Sequence, residues 1–367
     1  MIERAFERSR DGMPAATAAP APATTAAIAA TPCGEAADAA ADSADDSAAD
    51  PAADPADEAA NAAAALARLA DFVDRHPRLF VLTGAGCSTE SGIEDYRDAQ
   101  GRWKRPMPTT YQAFTQDALM RGRYWARGMI GWRGFGRARP NAAHMALARW
   151  EHGTAGSAAG SAAGSSVSSA AGGTGRSRPS LLVTQNVDGL HEAAGSRNVV
   201  DLHGRLDQVR CLACNARFGR DAMQAELERR NPGWVDLDAR LGPDGDADLE
   251  DAAFADFDVP THAGCGGMLK PDVVFFGEPV PRERVDQAFA ALAASDAMLV
   301  VGSSLMVYSG YRFALGAAER GLPIAAINIG HTRADALLSL KVEARAALVL
   351  AQLFPDAAGN HAAQHSL

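Results

Sequence analysis

Four polar side chains follow two short apolar runs near the middle of the chain. Gln185, Asn186 and Asp188 come directly after the apolar run 181–183, and His203 follows a second strand-like stretch. Open α/β sheets bind ligands outside the carboxyl ends of their strands, so these side chains are expected to converge on one crevice. A histidine there is a candidate general base, because its pKa lies near neutrality. A structural role for His203 is the alternative that the spacing leaves open.

Three other apolar runs also end in small or amide residues. Glycine turns between a strand and a helix bring backbone N–H groups close to a pyrophosphate, so a dinucleotide is expected across these strand ends. The first turn is not GxGxxG, since its next glycine is Gly92, and tight turns also use glycine for its φ alone. The polar segment 91–98 is typical of a loop over a cofactor site, or of a plain surface loop. The residues that end the runs are Gly84, Ala85 and Gly86, then Gly302, Ser303 and Ser304, and then Asn328, Ile329 and Gly330.

Two pairs of potential metal ligands flank a long segment in the second half of the chain. Cys211 and Cys214 form a CxxC pair, and His262 and Cys265 form a second pair with the same spacing before two glycines. Three thiolates and one imidazole suit tetrahedral Zn²⁺, and a full set of four protein ligands makes the metal structural. A redox CxxC pair is the alternative, but it leaves the second pair unexplained. The Pro-, Gly- and Asp-containing segment 215–261 is predicted to be an irregular excursion.

Composition sets residues 1–58 apart from the rest of the chain. Between residues 35 and 58 there are nine acidic residues and no basic one, so this segment supplies −9 of the formal net charge of −10. The acidity therefore says nothing about the active surface. Because the segment has too little apolar area to offset its chain entropy, a disordered tail is predicted, with an interaction arm as the alternative. A short disordered C-terminus is predicted over 356–367.

Several classes of protein are disfavoured by what the sequence lacks. It has no run of 18 strongly apolar residues, and no compact apolar core follows the N-terminal arginines as in a secretory signal. Five cysteines are too few for a disulfide scaffold in a chain of 367 residues. No dense Lys/Arg cluster surrounds the cysteine pairs, which argues against a nucleic-acid binder. A cytoplasmic enzyme is expected, with no membrane or nucleic-acid partner, and the oligomeric state stays open.

Apolar runs alternate with amphipathic segments from residue 59 onward, a pattern typical of a doubly wound parallel α/β sheet. Helices are predicted over 59–75, 187–194, 281–294 and 309–320, and strands over 79–82, 181–183, 198–202, 270–278, 297–301 and 324–327. Aromatic residues at helical spacing predict a packed helical module over 103–139, with a nucleic-acid platform as the alternative. The Gly/Ser/Ala repeats of 152–178 predict a flexible insertion. The domain 59–355 thus divides into Rossmann-like segments 59–102, 140–208 and 270–355, the helical module, and a zinc domain 209–269.

Seven motifs in one order resemble the sirtuin family. They are GAGCSTESGIEDYRD, TQNVDGLH, LHG, CxxC, KPDVVFFGE, VGSSLMVYS and NIG, and they span residues 80–330. The resemblance implies a Rossmann-like domain with a small structural-zinc domain and a helical module. The stretches TQNVDGLHEAAG and YWARGMIGW are most similar to the class II branch, which includes a mitochondrial lipoamidase and ADP-ribosylating member.

The resemblance also implies roles for individual residues. NAD is the expected cofactor, one structural Zn²⁺ is expected per chain, and His203 corresponds to the catalytic base. An acyl-lysine peptide of a protein substrate is expected to lie as an added strand between segments 274–277 and 305–307. The expected cofactor contacts are Gly84, Ala85 and Gly86 at the diphosphate, with Thr89 as a further contact; Asp95, Tyr96 and Arg97 in the flexible loop; Gln185, Asn186 and Asp188 at the ribose and nicotinamide; and Gly302, Ser303, Ser304, Asn328, Ile329, Gly330 and Ala346 on the adenosine side.

Three residues depart from the family pattern. Glu94 stands where proline is usual, so the cofactor loop is expected to be more mobile or repositioned. His262 replaces the usual third zinc cysteine, which zinc chemistry tolerates. Ser309 stands where a proline commonly follows the substrate segment, which leaves the peptide affinity open.

The implied activity is NAD-dependent removal of an acyl group from a lysine side chain. Nicotinamide leaves the ribose, the acyl oxygen attacks the exposed carbon, and His203 deprotonates a ribose hydroxyl that attacks the resulting imidate. The implied products are free lysine, nicotinamide and O-acyl-ADP-ribose. Protein ADP-ribosylation or lipoamidase activity at the same site is the alternative. A non-catalytic NAD sensor is a further rival, but it would have no need of His203.

Overall fold

The computed structural model describes residues 55–153, 177–237, 239, 242, 245–247, 249 and 254–356. Helices and strands alternate through most of this part of the chain. The strands are β1 (Arg78–Thr83), β2 (Arg178–Thr184), β3 (Val199–Asp201), β4 (Gly204–Cys211), β5 (Arg217–Gly219), β6 (Leu269–Val273), β7 (Ala297–Val301), β8 (Ile324–Ile327) and β9 (Leu340–Val342). The helices are α1 (Pro55–Arg75), α2 (Tyr111–Gln116), α3 (Ala118–Phe135), α4 (Ala142–His152), α5 (Leu190–Ala193), α6 (Arg220–Arg230), α7 (Arg282–Ala293), α8 (Tyr308–Glu319) and α9 (Ala346–Leu353).

Six of the strands form one parallel sheet in the order β3-β2-β1-β7-β8-β9. Strand β1 pairs with both β2 and β7, so the strand order reverses at the centre of the sheet. At such a switch point the loops after neighbouring strands diverge and leave a crevice. The doubly wound parallel sheet predicted from the sequence is therefore confirmed.

Alternating side chains of the central strands bury both faces of this sheet. Leu79 and Val81 pack on one side with α1, α4 and α9, while Phe80 and Leu82 pack on the other side with α7 and α8. All four side chains are fully buried. Burial on both faces explains why the strands are continuous apolar runs, since a strand with one solvated face would alternate with polar residues.

A second, antiparallel sheet has the order β5-β4-β6. The prediction of one strand over 270–278 in the parallel sheet was wrong, because β6 ends at Val273 and pairs with β4 instead. The run itself only restricts this segment to an edge strand, and the pairing with β4 decides the sheet. Pro271 has no N–H to donate to a ladder, so it is confined to an edge strand, and β6 is an edge of the small sheet.

Helices α2 and α3 form the predicted helical module, and the packing role of its aromatic residues is confirmed. Phe114 and Trp125 are fully buried in a core that the module shares with the small sheet. The Asp117 side chain caps α3 by accepting from two backbone amides of its first turn. In the segment predicted as irregular, α6 forms instead, because Met223 and Leu227 lie one turn apart and bury against the same core.

The ends of several elements differ from the predicted ones. Helix α1 begins at Pro55, before the predicted start at residue 59, and α5 is shorter than the predicted helix 187–194. Most of the predicted disordered segments 1–58, 152–178 and 356–367 lie outside the described residues. Within the part of the chain that the structure describes, no helix is long and apolar enough to cross a membrane.

Candidate active site

A cavity of about 670 Å³ opens at the carboxyl ends of β1, β2, β7 and β8. The segment after β6 and the start of α8 also contribute to its walls. Three predicted contacts, Thr89, Gly330 and Ala346, do not line it, and Ala346 is buried in the core as the first residue of α9. Cofactor contacts by these three therefore stay predictions. The predicted site residues that line the cavity are Gly84, Ala85, Gly86, Asp95, Tyr96, Arg97, Gln185, Asn186, Asp188, His203, Gly302, Ser303, Ser304, Asn328 and Ile329.

The glycine turns after β1 and β7 pack directly against each other. A Cβ atom on Gly84 would lie 2.7 Å from the Cβ of Ser303, and one on Gly86 would lie 3.0 Å from the Cα of Gly302. The amides of Gly84 and Gly86 donate to the carbonyls of Val301 and Gly302 at 3.0 and 2.9 Å. Glycine is required at Gly84 by this close approach and not by its φ, which is −140°.

A chain of hydrogen bonds fixes the polar residues that follow β2. The Asn186 side-chain amide donates to the Gly84 carbonyl at 3.1 Å and to Ser88 Oγ at 2.9 Å, and Ser88 Oγ donates to Asp188 Oδ2 at 2.7 Å. The other Asp188 oxygen accepts from the Leu190 amide at 2.9 Å, while burial raises the pKa of this carboxyl. Ser88 thus connects the glycine turn after β1 with the polar segment after β2. It was missed from the sequence, although its place directly after the glycine turn was a signal.

Two fully buried histidines lie next to these hydrogen-bonded residues, and they were also missed from the sequence. His144 Nε2 lies 3.4 Å from Ser88 Oγ, and His191 Nε2 lies 2.9 Å from Thr83 Oγ1. Burial lowers the pKa of His144 to about 4 and that of His191 well below its ordinary value. Cys87 brings a third donor atom within 4.8 Å of theirs. Both nitrogens of His144 are already hydrogen-bonded, however, which favours structural support of the turn over metal binding.

His203 lines the cavity with both ring nitrogens hydrogen-bonded. Its Nδ1 lies 2.9 Å from the carbonyl oxygen of Gln185, and its Nε2 lies 2.7 Å from Ser309 Oγ. A carbonyl oxygen can only accept, so Nδ1 carries the hydrogen and Nε2 keeps a lone pair. Burial lowers the pKa of His203 to about 4, and the positive charges of Arg284 and Arg312 act in the same direction. The imidazole is therefore neutral at neutral pH, as a general base must be.

The backbone that follows His203 is locked against β6. The Val274 amide donates to the His203 carbonyl at 2.7 Å. Gly204 has a φ of 81°, and a Cβ there would overlap the carbonyl oxygen of Asp272. Gly204 is therefore required by a left-handed backbone and a close strand approach, and the imidazole gains a fixed platform.

The predicted cofactor loop is tied to the chain that returns from it. Glu94, which stands in place of the usual proline, forms an ion pair with Arg105 at 3.2 Å. The guanidinium of Arg97 lies over the ring of Trp103, 3.9 Å from its centroid. Trp103 in turn meets Phe276 edge-on, with ring centroids 5.6 Å apart. These contacts connect the loop to the opposite wall of the cavity.

A buried ion pair shapes the segment that follows β6. Lys270 is fully buried, donates to the Val273 carbonyl and lies 3.0 Å from Glu278 Oε2. The same carboxylate oxygen accepts from the Phe275 amide at 3.0 Å. Residues 274–277, one of the two predicted substrate edges, are thereby held in a fixed turn.

Apolar side chains form another part of the cavity wall. They come from the core that the helical module shares with the small sheet, so this wall is suited to an apolar chain and not to a charged group. Sequence reasoning treated Tyr124 of this group as packing alone, and its exposure to the cavity became visible only in the fold. The residues of this core that line the cavity are Ile93, Tyr124, Phe135, Val187, Leu206, Val273 and Phe275.

The four predicted zinc ligands converge beside the small sheet. Cys211 Sγ lies 3.5 Å from Cys265 Sγ, and His262 Nδ1 lies 3.5 Å from Cys214 Sγ and 3.2 Å from Cys265 Sγ. Such separations suit the corners of a tetrahedron around one Zn²⁺, since Zn–S and Zn–N bonds are about 2.3 and 2.0 Å. A Cβ on Gly267 would lie 2.5 Å from Cys211 Sγ, which explains the glycine after the second pair. The donor set fits structural zinc, with His262 as the fourth ligand.

The profile of the Sir2 family matches residues 84–158 and 175–309, which is more than half of the 367 residues. The chain belongs to the Sir2 family. This Sir2 protein is 60% identical over 285 residues to the NAD-dependent protein deacetylase of Xanthomonas campestris pv. campestris strain 8004, covering 78% of this chain and 89% of the relative. It is 56% identical to the NAD-dependent protein deacetylase of Bordetella pertussis, covering 79% and 97%. It is 42% identical to the NAD-dependent protein deacylase Sirt4 of Drosophila melanogaster, covering 79% and 86%.

Solved structures share the fold of this Sir2 protein. A Sir2 homologue in complex with ADP-ribose is 29% identical, with a TM-score of 0.56 over 82% of this chain and 98% of the homologue. A Sir2 enzyme studied for its mechanism and regulation is 26% identical, with a TM-score of 0.58 over 80% and 97% of the two chains.

Proposed function

We propose that this Sir2 protein is an NAD-dependent protein lysine deacylase with His203 as its general base. The observation that carries the proposal is a neutral imidazole with its lone pair on Nε2, which lines the cavity between the glycine turns and the segment 274–277. The names of the Xanthomonas and Bordetella relatives, at 60% and 56% identity, support the reaction class.

The residues around the cavity fit NAD. The contact between the turns at Gly84 and Gly302 has no room for side chains, so backbone forms this part of the wall. Asn186 and Asp188 are held in place by Ser88 and offer polar groups to a ribose. NAD, when bound, supplies the ribose carbon that takes the acyl oxygen and the hydroxyl that later receives the acyl group.

His203 takes the proton of that hydroxyl on Nε2. The Gln185 carbonyl keeps the hydrogen on Nδ1, so the lone pair of the ring is on Nε2, where it accepts from Ser309 until the ribose hydroxyl approaches. The positive charges of Arg284 and Arg312 disfavour the imidazolium. We therefore expect the proton to leave His203 readily after each turnover.

The substrate is proposed to be an acyl-lysine segment of another protein. Its backbone would lie as an added strand between 274–277 and 305–307, both of which line the cavity. The apolar wall that includes Tyr124 and Phe135 would receive the acyl chain. The identity of 42% to Drosophila Sirt4, named a deacylase, supports deacylation over ADP-ribosylation as the reaction. The class II assignment stays a prediction. The domain division and the cytoplasmic location remain predictions.

The test is His203→Ala, with His152→Ala as its matched control. His152 is an exposed histidine at the end of α4 that does not line the cavity. We expect His203→Ala to lower turnover of an acetyl-lysine peptide by at least ~10²-fold, the usual contribution of a positioned base. Calorimetry should show NAD binding in both variants, because the glycine turns hold the cofactor. Near-normal turnover by His203→Ala would remove this residue from the mechanism.

A further inference from the structure

We propose that Ser309 is the positioning residue of the general base: its hydroxyl donates to Nε2 of His203 in the resting enzyme and accepts from Nε2 once the imidazole has taken up a proton. The inference rests on the proposed role of His203. It concerns a residue that sequence reasoning connected only with peptide affinity.

The tautomer of His203 determines which partner donates in its hydrogen bond with Ser309. Nδ1 must donate, because its partner at 2.9 Å is the Gln185 carbonyl oxygen. Nε2 of the neutral ring is then an acceptor, so the hydrogen in the contact of 2.7 Å belongs to Ser309 Oγ. Ser309 is 9% exposed, so bulk water does not freely take the place of its hydroxyl in this bond.

A hydroxyl is suited to this nitrogen because it can donate or accept. Nε2 has one lone pair, so the Ser309 hydroxyl hydrogen must turn away from it before the ribose hydroxyl gives up its proton there. Nε2 is then a donor, and Ser309 Oγ can accept from it while keeping its own hydrogen. A hydrogen bond to the charged ring is stronger than one to the neutral ring. Arg284 and Arg312, which lower the pKa of His203, are positive and cannot accept a hydrogen bond, whereas Ser309 Oγ lies 2.7 Å from Nε2 and can accept one from the imidazolium.

The start of α8 positions both partners of the ring. Ser309 is the second residue of α8, and a Cβ on the following Gly310 would overlap the side-chain oxygen of Gln185. The Gln185 side chain is held in turn by its amide, which donates to Ser303 Oγ at 2.7 Å. The helix therefore brings the hydroxyl to Nε2 and packs against the residue that holds Nδ1. The proline common at this position in the sirtuin resemblance has no hydroxyl and cannot form the bond.

The test compares Ser309→Ala with Ser309→Thr and with Ser295→Ala. The control removes another buried serine hydroxyl, 6% exposed, which is bonded to Ser180 Oγ at 2.7 Å. Ser295 lies just before β7 begins, at the opposite end of the strand from the cavity. We expect Ser309→Ala to lower kcat for an acetyl-lysine peptide on the order of 10-fold, the loss of one hydrogen bond to a charged group. KM for NAD and peptide should stay within about threefold, because the hydroxyl acts through His203.

Two readouts separate positioning from a purely structural role. The acid limb of the pH profile of kcat/KM should move to lower pH in Ser309→Ala, because the imidazolium loses its acceptor, and it should stay in place in Ser295→Ala. The ¹⁵N resonance of His203 Nε2 in the enzyme without ligands should shift in Ser309→Ala, since its donor is gone. Ser309→Thr keeps the hydroxyl and should restore both readouts.

An unchanged Nε2 resonance in Ser309→Ala, or equal loss of kcat at every pH without movement of the acid limb, would overturn the inference. His203→Ala in the same assay separates the two proposals. If that variant is active, the role of His203 fails; if it is inactive while Ser309→Ala behaves as wild type, only the role of Ser309 fails.

Discussion

The buried ammonium of Lys270 gives the sharpest test of how the cavity wall is built. Replacement by Met keeps an unbranched apolar stem of similar volume and removes the charge together with the donor to the Val273 carbonyl. The Glu278 carboxylate, 12% exposed, then loses its partner at 3.0 Å. It keeps the Phe275 amide at 3.0 Å and the more distant Arg210 guanidinium at 3.4 Å.

The expected loss of unfolding free energy is about 3 kcal/mol. Removal of one partner from a buried ion pair costs about 3–5 kcal/mol, because it leaves an uncompensated buried charge. The lower end applies here, since Arg210 still lies near Glu278. The double replacement Lys270→Met with Glu278→Gln should be less destabilised than the sum of the two single changes, because no unpaired charge remains.

Urea unfolding followed by tryptophan fluorescence is the assay. Trp125 donates to the Leu269 carbonyl at 3.3 Å and so reports on this region. The matched control is Arg282→Met, whose ion pair with Asp286 has side chains that are 91% and 66% exposed, and which should change stability by less than about 0.5 kcal/mol. Because residues 274–277 depend on the pair, Lys270→Met should also raise KM for the peptide more than KM for NAD.

Two results would refute this reasoning. One is a loss for Lys270→Met below about 1 kcal/mol, which would place the pair in the range of exposed ion pairs. The other is strict additivity in the double replacement, which would show that Lys270 and Glu278 do not act on each other.

Three further predictions concern the metal, the buried histidines and the helix beside the base. Cys211→Ala should lose the zinc that the wild-type protein binds at about one equivalent per chain, as elemental analysis will show, and a full equivalent retained by this variant would contradict the four-ligand site. Burial lowers the pKa of His144 to about 4 from about 6.5 in the unfolded chain, so the unfolded state binds more protons between these values. The contribution of the neutral His144 ring to the free energy of unfolding is complete above about pH 6.5 and decreases as the pH falls toward 4, by about 2 kcal/mol at pH 5. Urea unfolding at about pH 6.5 and about pH 5 should therefore show a smaller loss of stability for His144→Gln than for the wild-type protein. An equal loss in both proteins would contradict this prediction. Gly310→Ala should weaken ADP-ribose binding measured by calorimetry, because its Cβ would displace the Gln185 side chain at a cost of about 1–3 kcal/mol, whereas Gly128→Ala, with no atom within 4 Å of the new Cβ, should bind normally.

Local patterns in the sequence were sufficient for five of the six strands of the central sheet and for most of the cavity, while the short edge strand β9 was not predicted. The apolar runs of β1, β7 and β8 are continuous because both faces are buried, and each run ends where a polar or glycine residue begins. His203 and Asn186 could be predicted because they follow such runs directly. The zinc ligands could be predicted because each half of the site is a short local pair.

The tertiary structure decided which strands share a sheet and which distant residues meet. The run 270–278 has strand character, but only the pairing of β6 with β4 shows that it leaves the parallel sheet. Helix α6 forms because Met223 and Leu227 have a core to bury against, and that core comes from other parts of the chain. Ser309 reaches His203 across 106 positions of sequence. Periodicity and turn chemistry are local properties that a sequence displays, whereas a contact between distant residues depends on burial and hydrogen bonding that exist only after the chain has closed.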